Sequence, residues 1–286
     1  LVEKTLGMTD LPLLSEPNLQ QQLVEIGYQG KKLEELEGLS AAEKAKMLFI
    51  VQDPYTSYYD AKVVRDFVAL TQKLGFSPIL LPFKPNGKAM HIKGFLTRFS
   101  KTAKTQAEFL NRVAKLNVPL VGVDPAIVLS YRDEYKEALG DSRGDFHVLT
   151  AHEWLTSQLE SNALQSAVKN IAKSDRTFEW HLFPHCTEST FMPNSPKEWQ
   201  HIFAQFGQTL NVEKVGCCGM AGVFGHEVQN QTMSKDIYDV SWGKKLQGKD
   251  PNYCLATGYS CRSQVKRYEK AILKHPVQAL LEVLNN

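Results

Sequence analysis

The chain has 286 residues, of which 43% are hydrophobic, and a formal net charge of +2. This length is enough for one large domain or two packed halves. The nearly balanced charge, without a basic run or a basic–aromatic stripe, argues against nucleic-acid binding. Because we find no apolar stretch long enough to span a bilayer and no signal peptide, we expect a cytoplasmic protein without a transmembrane segment. The opening residues Leu1-Val2-Glu3 suggest a piece of a longer protein.

Residues 1–45 are predicted to form a polar, helical lead-in, and after them short apolar runs alternate with segments of helical period. The strands predicted in the first half are 47–51, 78–81, 119–123 and 147–150. The helices predicted there are 61–74, 98–115, 127–139 and 153–164. Strand and helix in alternation are typical of a parallel sheet covered by helices.

The second half continues the same alternation. Its predicted strands are 178–183, 212–216 and 253–257. Its predicted helices are 196–210, 226–246, 261–272 and 277–284. We therefore predict an α/β fold with two small parallel sheets, each flanked by helices.

The two halves also match each other as an internal repeat. The strand ends Phe49–Ser57, Leu81–Lys84 and Val123–Ile127 correspond to His181–Ser189, Val215–Cys218 and Thr257–Cys261, with offsets of 132, 134 and 134 residues. This repeat predicts two units related by a pseudo-twofold, covering residues 46–165 and 166–286. The first-half positions aligned with cysteines are Pro54, Phe83, Lys84 and Ile127. None of these is a metal ligand, so the first unit is predicted to keep the fold and lack the site.

All five cysteines lie between Cys186 and Cys261. An odd number of cysteines, clustered late and without a secretory signal, favours a metal or redox site over a disulfide framework. Cys186, the pair Cys217-Cys218 and Cys261 each follow a predicted parallel strand. Ligand sites in open α/β sheets form at that edge, so the topology predicts a metal site that gathers these thiols.

The adjacent cysteines lie in the glycine-rich stretch Gly216–Gly225. Neighbouring side chains of an extended segment point apart, so both thiols can face one centre only where the backbone bends sharply. Gly219 supplies the freedom for such a bend. Two other interpretations remain open, a strained vicinal disulfide and two ordinary buried cysteines beside a turn.

The cysteine pattern resembles the cysteine-rich CCG domain, which occurs in the iron–sulfur subunits of glycolate oxidase and anaerobic glycerol-3-phosphate dehydrogenase and in heterodisulfide reductase. More narrowly, four segments resemble the C-terminal region of bacterial FAD-linked D-2-hydroxyacid dehydrogenases, the D-2-hydroxyglutarate type among them. These segments are Asp53–Thr56, Tyr131–Tyr135, Gly216–Gly222 and Ala256–Gln264. The resemblance covers residues from about 45 to 286.

The resemblance implies a four-thiolate centre held by Cys186, Cys217, Cys218 and Cys261. Four thiolates suit a [4Fe–4S] cluster or a tetrahedral zinc ion equally well. One branch of the family ends in Cys-x-x-Cys, and this chain has Gly258 in place of the first of those cysteines. Cys254 could replace the absent ligand only if its strand ended earlier; otherwise it is a buried strand cysteine.

Two further residues are candidates to act on the centre. His185, which precedes Cys186, is expected to tune the centre by hydrogen bonding or to ligate it directly. Arg262 follows Cys261 at a predicted helix start, where a cation would lower a thiolate pKa; it could equally be a solvated helix residue.

The chain lacks a glycine-rich dinucleotide fingerprint and a Cys-x-x-Cys-x-x-Cys ferredoxin run. The resemblance therefore implies an electron-transfer or scaffold domain that relays electrons from FAD, bound elsewhere in the same protein, to an acceptor. Its partners would be the flavin and ferredoxin-like domains of that protein, and alone it would be inactive. A zinc-stabilised docking domain and a thiol–disulfide enzyme using Cys217-Cys218 are the competing predictions.

Overall fold

The computed structural model describes residues 7–161, 163, 164, 168 and 177–285. Within them, the strands are β1 Met47–Ile50, β2 Ser77–Leu80, β3 Leu120–Gly122, β4 Val148–Thr150, β5 Glu179–Phe183, β6 Thr209–Val212 and β7 Cys254–Ala256. They form two parallel sheets with strand orders β2-β1-β3-β4 and β6-β5-β7. The predicted α/β fold with two small parallel sheets is confirmed.

Helices flank both sheets. Those of the first half are α1 Leu19–Glu25, α2 Ala41–Lys44, α3 Pro54–Tyr59, α4 Ala61–Lys73, α5 Lys88–Ile92, α6 Leu96–Ala114, α7 Pro125–Arg132, α8 Glu134–Leu139 and α9 Ala151–Glu160. Those of the second half are α10 Cys186–Phe191, α11 Ser195–Gln205, α12 Gln231–Tyr238, α13 Lys244–Leu246, α14 Tyr259–Glu269 and α15 Pro276–Asn285. A π-helical turn, Asp239–Gly243, joins α12 to α13.

The order β6-β5-β7 repeats the order β2-β1-β3 of the first sheet, and each strand of the second sheet begins 132 or 134 residues after the strand it matches. β4 has no counterpart in the three-stranded sheet. One buried core contains residues of both sheets, among them Ile50 of β1 and Leu182 of β5. The two halves are therefore packed units with a shared core. The unit boundaries 1–45, 46–165 and 166–286 stay a prediction.

An Asp-Pro pair begins the helix that follows each of two strands in the first sheet, β1 and β3. Asp53 follows β1 by way of two residues, and its carboxylate accepts hydrogen bonds from the backbone N–H groups of Tyr55 and Thr56. Asp124 does the same after β3. In both cases a proline occupies the first turn, where its missing N–H costs nothing. These buried carboxylates therefore cap the helices that follow β1 and β3.

The predicted strand 212–216 is wrong. β6 is Thr209–Val212, because Gly207 adopts φ +67° and ends α11 at Gln205, so the chain is extended earlier than the pattern indicated. Cys217 therefore lies five residues past its strand. With β6 aligned on β2, the cysteine pair matches Pro85 and Asn86, not Phe83 and Lys84. The first unit still has no thiol at these positions.

Two predicted helices are also interrupted. The segment 127–139 divides at Asp133 into α7 and α8. The segment 226–246 begins with two short 3₁₀ turns before α12 and includes the π-helical turn. None of the helices in the described ranges is long and apolar enough to cross a membrane.

Candidate metal centre

Three connections of the second sheet carry the candidate thiols. Cys186 is the first residue of α10, after β5, and Cys261 is the third residue of α14, after β7. Cys217 and Cys218 lie in the irregular segment that follows β6. Since all three strands are parallel, their ends share one edge, and the side chains converge there as the topology predicts.

The four thiols are neighbours in a row. The thiols of Cys186 and Cys218 act on the pKa of Cys217, and Cys261 acts on the pKa values of Cys186 and Cys218. The backbone N–H of Gly219 donates to the Cys217 sulfur at 3.3 Å. The neighbouring thiols and this N–H favour the thiolate, so the pKa of Cys217 is lowered, while the pKa values of Cys186 and Cys218 are raised by their thiol neighbours and by burial.

A row of four adjacent thiols has the donor chemistry of a soft-metal site. The row is not closed into a ligand cage: among the described residues, no group of three or more His, Cys, Asp or Glu side chains is arranged to hold a metal ion. By its chemistry, this set of four sulfur donors fits a thiolate-bound metal or cluster. Because the sulfur atoms are not arranged around one point, binding would require the thiol protons to leave and the sulfur atoms to turn toward a common point.

Gly219 permits the sharp bend between the cysteine pair and the rest of the turn. It adopts φ +81°, and a Cβ atom there would lie 2.3 Å from the carbonyl oxygen of Ser234. The Ser234 hydroxyl donates to the Gly219 carbonyl at 2.8 Å and accepts from the Gln264 amide at 2.8 Å. Helices α12 and α14 therefore hold the turn closely, and only glycine fits at this position.

Replacing Gly219 with alanine should destabilise the protein more than an ordinary left-handed glycine would. The matched control is Gly207→Ala, because Gly207 also has positive φ (+67°) but nothing lies within 4 Å of the place that the added methyl group would occupy. We expect about 1 kcal/mol for the control and clearly more for Gly219→Ala, since backbone must move. Urea unfolding of both variants measures the difference. Equal losses would show that the contact with Ser234 does not constrain the turn.

His185 lies beside the thiols and is 7% exposed. Its Nδ1 accepts a hydrogen bond from the backbone N–H of Thr187 at 3.2 Å and so caps α10. Its Nε2 is 3.3 Å from the Ser260 hydroxyl. The imidazole thus contacts both the α10 and the α14 connections, and its predicted action on the centre stays a proposal.

Arg262 is buried, and its guanidinium is directed to oxygen atoms. It pairs with Asp60 at 2.9 Å and donates to the carbonyl oxygens of Ala256 and Thr257 at 2.9 and 3.1 Å. The guanidinium therefore satisfies carbonyl oxygens at the end of β7 and connects the two units through its ion pair with Asp60. Its proposed influence on a thiolate would act through the position of α14, which carries Cys261.

Cys254 lies inside β7 and is fully buried. Burial is the main cause that raises its pKa, to about 11, and the other contributions come from Lys249, Glu213 and Asp250. None of those contributions is from a thiol. This environment is that of a strand cysteine in the core.

Two residues that position the site were not among the predicted site residues. Glu188, 1% exposed, accepts hydrogen bonds from the hydroxyl groups of Ser195 and Thr257. Asp124 accepts from the backbone N–H of Tyr259 at 2.8 Å and so connects the first unit to the start of α14. The repeated Asp-Pro after β1 and β3 could have revealed Asp124. A glutamate two residues after a cysteine is too common a pattern to have revealed Glu188.

One of the two buried aspartates has a shifted pKa. Burial and the nearby charge of Asp124 raise the pKa of Asp53 to about 7. His226 is also buried, 5% exposed, and burial lowers its pKa. It lies under the Met8–Asp10 segment, where the backbone N–H of Thr9 donates to the His226 carbonyl oxygen at 2.7 Å.

A cavity of about 380 Å³ opens onto the thiols. Its lining includes Cys186, Cys217 and Cys218 from the second unit and Tyr55, Asp124 and Ile127 from the first. The rings of Tyr55 and Tyr259 stack across the unit boundary, with centroids 5.5 Å apart. The sulfur row is thus reached from a largely apolar space between the units.

Two parallel sheets whose strand ends gather four thiols define an α/β domain with a cysteine-rich site. The chain is similar to segments of known oxidoreductases. It is 83% identical over 284 residues to D-2-hydroxyglutarate dehydrogenase of Haemophilus influenzae, and 58% identical over 284 residues to the Escherichia coli enzyme of that name. Each match covers 99% of this chain but only 28% and 27% of the relative.

A more distant similarity reaches a second type of oxidoreductase. Over 234 residues the chain is 21% identical to one subunit of the anaerobic glycerol-3-phosphate dehydrogenase of Escherichia coli, covering 80% of this chain and 57% of that protein. No protein-family model matches the sequence. The chain spans little more than a quarter of the length of the D-2-hydroxyglutarate dehydrogenases it resembles, and the similarity supports an oxidoreductase-associated domain.

Proposed function

We propose that this chain is an iron–sulfur electron-transfer domain of a FAD-linked 2-hydroxyacid dehydrogenase of the D-2-hydroxyglutarate type. The observation that carries the proposal is the row of four adjacent thiols, Cys186, Cys217, Cys218 and Cys261, at one sheet edge. The similarity to D-2-hydroxyglutarate dehydrogenases supports the proposal that the chain is part of a dehydrogenase of this type. The proposal includes three further points: the chain is a CCG domain, it binds an iron–sulfur cluster, and these four cysteines are the ligands.

When bound, a [4Fe–4S] cluster would supply one-electron transfer at a potential set by its surroundings. Cys186, Cys217, Cys218 and Cys261 would hold it, and other residues of the chain support them. The Gly219 N–H and its neighbours stabilise sulfur as thiolate, Glu188 and Arg262 fix the connections that carry Cys186 and Cys261, and the apolar cavity lowers the local polarity. FAD and ferredoxin-like domains in the rest of the longer protein would be the electron donors.

The test is protein purified without oxygen, with iron and zinc measured per chain and electron paramagnetic resonance recorded after reduction. We expect a brown protein with about four irons per chain and broad visible absorption. A colourless protein that retains stoichiometric zinc would instead establish a structural metal site, and a metal-free protein with a reactive Cys217 would favour thiol–disulfide chemistry.

The isolated chain should not oxidise any 2-hydroxyacid, because the flavin fingerprint is absent from its sequence. A dye-linked dehydrogenase assay with D-2-hydroxyglutarate measures this. Activity of the pure chain without an added flavoprotein would contradict the assignment of hydride chemistry to another part of the protein.

A further inference from the structure

The orientation of the His185 ring is fixed by the backbone. The backbone N–H of His185 donates to the Thr257 hydroxyl at 2.9 Å, and the ring Nδ1 accepts from the backbone N–H of Thr187 at 3.2 Å. A backbone N–H can only donate, so Nδ1 must keep its lone pair free for this bond. In the neutral imidazole the proton is then on Nε2.

This tautomer decides what the other ring nitrogen can do. Ligation of a metal through Nε2 would require that nitrogen to lose its proton while Nδ1 still acts as an acceptor, which describes an imidazolate. A protonated Nε2 is instead a hydrogen-bond donor. The ring lines the same cavity as Cys186, Cys217 and Cys218, and its Nε2 lies 3.3 Å from the Ser260 hydroxyl, one residue before Cys261.

Gly258 shows that the ring also fills space. Its backbone has φ −90° and ψ 137°, a conformation that any residue adopts, so conformational freedom does not explain a glycine there. A Cβ atom at position 258 would lie 2.3 Å from His185 Cδ2 and 2.9 Å from Cγ. The imidazole thus occupies the volume that any side chain at position 258 would need.

We propose that His185 supports the centre without ligating it, donating from Nε2 to the Ser260 hydroxyl beside Cys261, and that its ring excludes a side chain, including a fifth thiolate, from position 258. This inference rests on the proposed function for the first part and on packing alone for the second.

The packing part is tested without metal by a double-mutant cycle. Gly258→Ala, His185→Ala and the double variant are prepared as metal-free protein and compared by thermal unfolding. We expect Gly258→Ala to lower Tm strongly in the wild-type background and little in the His185→Ala background. Gly38→Ala is the control, since Gly38 has ordinary φ and nothing within 4 Å. Equal Tm losses in both backgrounds would overturn the packing part.

The first part is tested on protein prepared without oxygen. His185→Ala should keep most of the iron of the wild type, whereas Cys186→Ser should lose it. His185→Gln, whose amide can still donate to Ser260, should keep as much iron as the wild type. Loss of iron in His185→Ala as severe as in Cys186→Ser would make His185 a ligand and overturn this part. If wild-type protein holds no iron, the proposed function fails, while the cycle still decides the packing part.

Discussion

Replacing Cys186, Cys217, Cys218 or Cys261 with serine, one at a time, should sharply reduce the metal bound per chain. Serine is a harder and more weakly acidic ligand than a thiolate, and soft metals prefer sulfur. Even residues that only orient metal ligands cost about 10–100-fold in affinity when they are changed, so the loss of a ligand should be at least as large. Iron and zinc per chain, measured for each variant after anaerobic preparation, give the result.

The matched control is Cys254→Ser. Cys254 is fully buried in β7, and no thiol is among the groups that shift its pKa. This variant should therefore keep its metal and lose some stability because a hydroxyl is placed in the core. Circular dichroism separates unfolding from metal loss. Full metal in the Cys186 or Cys261 variant would contradict a single centre, and metal loss in a folded Cys254→Ser protein would make Cys254 a ligand.

The sequence predicted the sheets and the convergence of the thiols because both depend on local patterns. Apolar runs of four or five residues separated by helical segments indicate buried parallel strands. A cysteine shortly after such a strand is brought to the ligand-binding edge by topology. The repeat offset of 132 residues, read from Phe49 and His181, agrees with the strand starts Met47 and Glu179.

The bounds of β6 could not be read from the pattern. Leu210 continues the helical spacing of the preceding helix, yet it is a strand residue, 5% exposed, paired with Trp180. The event that ends the helix is the left-handed conformation of Gly207. A single glycine is compatible with several conformations, so only the packed structure decides among them.

The residues that fix the thiols relative to each other were harder to predict still, because they act across the fold. Asp124 reaches Tyr259, 135 residues later, and Arg262 reaches Asp60, 202 residues earlier. Such pairs have no periodicity. In the first unit the strand ends are closed by the carboxylates of Asp53 and Asp124, whereas the second unit has His185 and the bare Gly258 at the related places. An imidazole and a glycine thus stand beside the proposed centre where the first unit has acidic caps.

Replacing Glu188 with alanine should lower the free energy of unfolding by about 2–6 kcal/mol, because two buried hydroxyl donors lose their acceptor. The carboxylate is 1% exposed and accepts from the hydroxyl groups of Ser195 and Thr257, and His152 lies 3.7 Å away. Alanine would leave these buried donors without an acceptor, and each unsatisfied group costs about 1–3 kcal/mol. Urea unfolding of metal-free protein measures the loss.

Glu198→Ala is the control for this change. Its carboxylate also contacts His152, at 3.2 Å, but its side chain is 35% exposed, so the expected loss is below about 1 kcal/mol. Glu188→Gln keeps one acceptor oxygen and should lose less than alanine. Because Thr257 also accepts from the His185 N–H, the Glu188→Ala variant should in addition bind metal more weakly in its folded state. A Glu188→Ala loss no larger than that of Glu198→Ala would show that the buried carboxylate does not hold the Cys186 and Cys261 connections together.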